Sequence, residues 1–152
     1  MADVGVQYML TTSGGTVNFN DGSADQLYIT KPFGLDGSPI RAPIDDVPFG
    51  HGGIVHPAWK GPRFIVIDGV MLITSTRQGN AIVEIRNDFE EVLRLALESI
   101  LAPVEGTLAW TPQGQSARSL DVNYNVQIDF DHEQNYQLET FHFGLVAANP
   151  DW

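Results

Sequence analysis

Residues 118–147 read RSLDVNYNVQIDFDHEQNYQLETFHFGLVA, and their spacing decides the fold. Leu120, Val122, Tyr124, Val126, Ile128 and Phe130 alternate with Ser119, Asp121, Asn123, Asn125, Gln127 and Asp129. A period of two places the two sets on opposite sides of a strand, one apolar and one polar. DHEQN at 131–135 is a polar turn, and 136–147 repeats the pattern with Phe141, Phe143, Leu145 and Ala147 on one side. Two long strands about a short polar loop predict a β-hairpin over 118–147.

Working outward, GTLAWT at 106–111 supplies a further strand before the hairpin. Upstream of it, Phe89, Val92, Leu93, Ala96, Leu97, Ile100 and Leu101 recur at helical spacing as one apolar stripe. Asn87 followed by Glu90 resembles a capping box, but Ile82 and Ile85 continue the stripe backwards. The spacing predicts a helix over about 82–101, which starts after Asn80 if the earlier residues join it and is stopped by Pro103. RFIVIDGVMLI at 63–73 is β-rich, with Asp68-Gly69 marking a bulge or tight turn, and QLYIT at 26–30 is another strand. Between these two lies the Pro- and Gly-rich segment 31–62, where missing donors and fixed φ oppose a helix or a central strand. An irregular segment of that length is characteristically functional or packed on a partner. The expected class is α+β: an antiparallel β-sandwich with one amphipathic helix packed on it and a long irregular arm, as a single domain over 1–152.

Composition narrows the function. Nineteen acidic residues face eight basic ones, for a net charge of −11, and the basic residues are scattered singly. Nucleic-acid binding needs a basic patch to neutralise phosphates, so a sequence-specific grip on nucleic acid is not expected. With no cysteine there is neither a disulfide nor a thiolate site. No apolar run reaches membrane-spanning length, and residues 1–15 lack the basic and apolar regions of a signal peptide.

Candidate chemistry is sparse. His51 and His56, five apart in GHGGIVHPAWKGPR at 50–63, offer two nitrogen ligands, whereas a catalytic zinc wants three plus water. His132 falls in the hairpin turn, and His142 lies on the strand face opposite Phe141 and Phe143. No Ser nucleophile elbow or phosphate-cradling glycine loop is present. Glu90-Glu91 reads as an acidic first helical turn and Asp45-Asp46 as a solvated loop, rather than as acid–base pairs. Trp59, Trp110 and Trp152, with Tyr28 and Tyr136, form the basis of an alternative, a carbohydrate-binding β-sandwich that stacks sugars on aromatics. No catalytic, metal or cofactor residues are expected.

Taken in order, QLYIT at 26–30, FGLDGSPIR at 33–41, FGHGGIVHPAWKGPR at 49–63, FIVIDGVML at 64–72, the single helix, EGTLAW at 105–110 and the closing FGLVAANPDW at 143–152 resemble the N-terminal belt domain of siphophage distal tail proteins. Phage tail tube proteins share a similar fold and are the related alternative. The resemblance implies a structural virion protein of the tail tip, made in the host cytoplasm, and no enzyme. It implies a homohexameric ring joining the tail tube protein to the baseplate hub or tail-associated protein, around the channel by which DNA leaves, with the tape measure protein as a further partner. Many members continue past the position of Asn149-Pro150 into a galectin-like sandwich, and a host-sugar role carried there is not transferred to these residues. On this reading GHGGIVHPAWKGPR is an inter-subunit arm, stiffened by proline and given a rigid contact by Trp59. The polar face with Asp121, Asn123, Asn125, Gln127 and Asp129 is then the candidate channel lining, against the alternative of an ordinary solvated sheet face.

Overall fold

A computed structural model describes residues 6–35, 37, 40–73, 80–112, 114–131, 138–149 and 151, with Arg41, Trp59, Asn80 and Leu138 described by backbone alone. In chain order the strands are β1 (Tyr8–Thr12), β2 (Gly15–Phe19), β3 (Gln26–Phe33), β4 (Ile40–Arg41), β5 (Ile44–Asp46), β6 (Gly53–Val55), β7 (Trp59–Lys60) and β8 (Arg63–Leu72). The helix α1 (Asn80–Glu98) follows, then β9 (Gly106–Trp110), β10 (Arg118–Asp131) and β11 (Leu138–Ala147).

The hairpin is present: β10 and β11 pair antiparallel, and β11 continues the sheet onto β8 along its whole length, from Leu138↔Leu72 to Ala147↔Arg63. The expected sandwich is not. The strands close into one barrel in the order β1-β2-β3-β8-β11-β10-β9, because β1 pairs with β2 on one side and with β9 on the other. Closure removes the free edges that two stacked sheets would keep. Nor is the barrel wholly antiparallel, since β2 meets β3 in parallel at the single register pair Phe19↔Leu27.

Asn20 holds that thin seam together. It adopts φ 57°, a left-handed conformation that Asn tolerates better than most residues. Its backbone N–H donates to Leu27 O at 2.9 Å, its Oδ1 accepts from Ile29 N–H at 2.6 Å, and its amide donates to Val6 O at 3.1 Å. A buried side chain thus supplies bonds that a longer ladder would otherwise make.

The interior follows from the alternation. On β8, Arg63, Ile65, Ile67, Gly69 and Met71 point inward, and on β11 Phe141, Phe143, Leu145 and Ala147 do the same. Phe19, Phe141 and Phe143 cluster with ring centroids 6.1 to 6.4 Å apart, within the range of favourable aromatic contact. Gly69 makes room for them: a Cβ there would lie 2.3 Å from Phe141 Cζ. The bulge expected at Asp68-Gly69 lies instead on the facing strand. β8 runs straight, and β3 slips by one residue at Thr30, between Ile29↔Gly69 and Lys31↔Asp68.

β10 departs from strict alternation. Its pairing with β11 shifts between Tyr124 and Val126 and again between Val126 and Asp129. Each bulge inserts a residue and turns the next side chain to the other face. Val126 therefore faces outward, 42% exposed, against the outer side of Gly144, and Ile128 and Phe130 return to the apolar side.

The helix begins at Asn80, so Asn87 lies within it and caps nothing. Its buried face carries Ile82, Leu93, Ala96 and Leu97, continued past its end by Ile100, with Phe89 partly buried beside them. Val92 and Leu101, expected in the stripe, are 48% and 53% exposed, so the buried band is narrower than the sequence pattern. The end of the helix is fastened by Tyr124 N–H to Ile100 O at 3.1 Å and by the Asn123 amide to Val104 O at 2.6 Å. No helix among the described residues is long and apolar enough to cross a membrane.

Candidate functional site

The expected irregular arm is more ordered than its composition implies. Lys31, Pro32 and Phe33 belong to β3, and Pro32 sits where only β8 pairs with that strand, so its missing N–H leaves no ladder bond unmade. Residues 40–60 then fold on themselves as a ribbon of two short antiparallel ladders. The inner one is Ile40↔Lys60 and Arg41↔Trp59, and the outer one runs from Ile44↔Val55 to Asp46↔Gly53. Pro43 and Pro57 fall at the break between them, which is bridged by His56 N–H to Pro43 O at 2.9 Å. Among the described residues, the strands of the ribbon pair with each other and with no strand of the barrel. The arm from Ile40 to Asp46, with five residues in strands, spans at most roughly 23 Å at ordinary β rise.

The ribbon exposes large apolar side chains beside its charged ones. Ile40, Ile44, Ile54 and Val55 are all more than half exposed, and Phe49 at the tip is fully so, held at φ 59°. An isolated two-stranded ribbon is marginal in water, and here it leaves β-branched and aromatic side chains uncovered.

The root of the ribbon is fastened by contrast. Arg63 is buried and donates from Nη1 to Leu35 O at 2.8 Å. Gly34 turns the chain there at φ 85°, and a Cβ on it would collide with Phe64 O at 2.0 Å. Lys60 Nζ meets Asp151 Oδ1 at 2.5 Å across the root.

Two of the histidines are matched to a carboxylate. His56 Nε2 lies 2.5 Å from Asp45 Oδ2 across the outer ladder, so Asp45 is a cross-strand partner as well as a solvated residue. His142 Nδ1 pairs with Asp68 Oδ1 on the barrel exterior, and His51 is exposed near the ribbon tip. Among the described residues no group of three His, Asp or Glu is placed to hold a metal ion. His132 lies outside them.

On the barrel exterior the register aligns Lys31, Asp68, His142 and Asp129 in one row across β3, β8, β11 and β10. Asp68, His142 and Asp129, with Asp131, Thr30 and Thr140, line an open depression of about 270 Å³. Asp121, Asn125, Gln127 and Asp129 are exposed on the outside of β10. Asn123 leaves the expected polar face, because its amide is turned to Ile100 O and Val104 O at the helix end.

Of the aromatic set, Trp110 is buried in the core and Tyr28 is partly exposed. The side chain of Trp59, with Tyr136 and Trp152, lies outside the described residues. A stacking platform built on Trp110 is thereby removed.

Sequence reasoning passed over Glu139, which shares the inward parity of Phe141 and Phe143 and is 2% exposed. Glu90 is not in a first helical turn; it lies in the middle of α1. Arg86, one turn earlier, brings Nε to 3.9 Å from Glu139 Oε2. Burial first, then the neighbouring carboxyl of Glu90, push the Glu139 carboxyl up to about 8, against the opposing pull of Arg86.

No family model matches the sequence, and no curated protein does. The fold does match. It is similar to that of the SPP1 Dit (gp 19.1) protein, whose crystal structure is described as a paradigm of the hub adsorption apparatus in phages infecting Gram-positive hosts. The TM-score is 0.61 at 10% identity, over 94% of this chain and 50% of that one. The chain thus spans half the length of the Dit protein it matches, and what the two share at this identity is the fold.

Proposed function

We propose that this chain is a structural protein of a phage tail tip, forming a homohexameric ring that joins the tail tube protein to the baseplate hub and surrounds the DNA exit channel. The reading makes it a virion component, with the tape measure protein as a further neighbour, and assigns it neither catalysis nor a cofactor. The observation that carries it is the exposed apolar ribbon at 40–60 on a barrel whose fold matches Dit over nearly its whole length.

The physical support lies in the division between root and tip. A ring is built head to tail from two different surfaces on each subunit, one of which must reach its neighbour. A ribbon anchored by buried Arg63 and carrying Phe49, Ile44 and Ile54 away from the barrel has the form of such a reaching surface. Burying those side chains against a neighbour would return roughly 25 cal/mol for each Å² removed from water. The acidic balance suits a channel for DNA, since a lumen rich in Lys and Arg would hold phosphates and slow their passage.

Electron cryo-microscopy of particles assembled with this protein tests the reading. A sixfold ring between tube and hub, with residues 40–60 lying on the adjacent subunit, is expected. Density for the chain elsewhere in the particle, or a ribbon pointing freely into solvent, refutes it.

A further inference from the structure

The ribbon has two unlike faces. Ile44 and Val55 stand opposite each other on the outer ladder, and Asp46 lies on their side by strand parity. The other side carries Ile54 with the Asp45–His56 ion pair. Asp45 is thereby engaged, whereas Asp46 is exposed and makes no ion pair among the described residues.

A second uncovered apolar surface lies on the barrel exterior. The register sets Phe33, Val66 and Gly144 in one row across β3, β8 and β11, with Phe64 and Val146 paired in the row beside it. Gly144 contributes no side chain, and Val126 of β10 lies over it, closing the far end of the row. Phe33 and Phe64 are each about half exposed, so the chain's own ribbon does not cover them. Lys31 flanks this patch, with Nζ 4.7 Å from the centre of the Phe33 ring. Its cross-strand neighbour Asp68 is taken by His142, and Lys31 has no carboxylate partner among the described residues.

We infer that the Ile44–Val55 face of the ribbon docks on the Phe33–Phe64 patch of a second copy of this chain, with Asp46 paired to Lys31. The inference rests on the ring reading and names the surface that receives the reaching arm. Each of the two surfaces offers exposed apolar side chains beside one unpaired charge, and the two charges are of opposite sign. Asp129 and Asp131, exposed on β10, repel Asp46 from that side and so hold the docked ribbon toward β3. Residues 40–60 number twenty-one, which matches the roughly 20–30 residues that a standard interface takes from each partner. The two surfaces differ, so the contact runs head to tail, as a closed ring requires.

Charge reversal, read as ring formation in solution and in assembled particles, tests the docking. Lys31→Glu and Asp46→Lys should each lose the ring, and the double variant, which restores the pair with its signs exchanged, should regain it. Rings that form unchanged in both single variants, or a double variant as poor as the single ones, would overturn the docking while the wild-type ring still stands. Wild-type chains that stay monomeric in solution and in particles would refute the ring, and the docking with it. A second measurement alters no charge and uses the absence of cysteine from the chain. Ile44→Cys chains mixed with Phe64→Cys chains should be joined by a short bis-maleimide into mixed dimers. Cross-links between Ile44→Cys chains alone would show ribbons meeting each other and contradict the inference.

Discussion

Leu93 and Leu97 are fully buried on α1, whereas Val92, from the same sequence stripe, is half exposed. Leu93→Ala or Leu97→Ala should therefore cost about 2–5 kcal/mol by lost burial and the cavity left behind. Val92→Ala should stay within about 0.5 kcal/mol, as surface changes do. Denaturant unfolding separates the two classes, and equal effects at all three positions would mean that the buried face is misplaced. The histidines make a sharper point about chemistry. His56 is held by Asp45 and His142 by Asp68, so a His51→Ala His56→Ala double variant should purify with the same metal content as wild type. Stoichiometric zinc in wild type that disappears in the variant would overturn the reading that these histidines bind no metal. At this scale the sequence was legible wherever parity applied, as at Phe141 and Phe143. The same parity pointed to Glu139, but a charged residue does not advertise burial, and its neighbour Glu90 comes from a helix that only the folded chain brings near.

Among the elements, α1 and the β10–β11 hairpin could be read because each repeats one period over many residues. The bulges in β10 could not, since an extra residue leaves composition unchanged and shows only in the pairing that sends Val126 outward. The ribbon at 40–60 was recognisable as an arm by its prolines and glycines but not as strands. Ladders of two and three residues, broken at Pro43 and Pro57, carry no period to detect. Its independence from the barrel makes a prediction. Replacing residues 42–58 with a short Gly-Ser turn should leave the unfolding midpoint of the isolated chain nearly unchanged, because the barrel strands and their core do not use them. A large loss of stability would show that the ribbon is part of the domain's own packing.

For the whole molecule, the expected sandwich became a barrel because closure depends on β1 meeting β9, a pairing between segments about a hundred residues apart on which local pattern is silent. Charge, in contrast, is a property of the whole chain and could be read at once. Asp121 and Asp129 are exposed on the barrel exterior, as a channel lining would need, though a solvated sheet face places them in the same way. If they line the channel, Asp121→Lys Asp129→Lys particles should assemble but release DNA more slowly, most visibly at low salt where phosphate contacts are strongest. Unchanged release kinetics would assign those residues to the outer surface. The central claim, that the ribbon builds a ring, is tested most directly by native mass spectrometry of the wild-type chain beside the ribbon-trimmed variant. Six chains of 16.7 kDa give a wild-type species of about 100 kDa, and the trimmed variant should appear as a folded monomer. A wild-type chain that stays monomeric at high concentration and within particles, or a trimmed variant that still forms hexamers, would contradict the account.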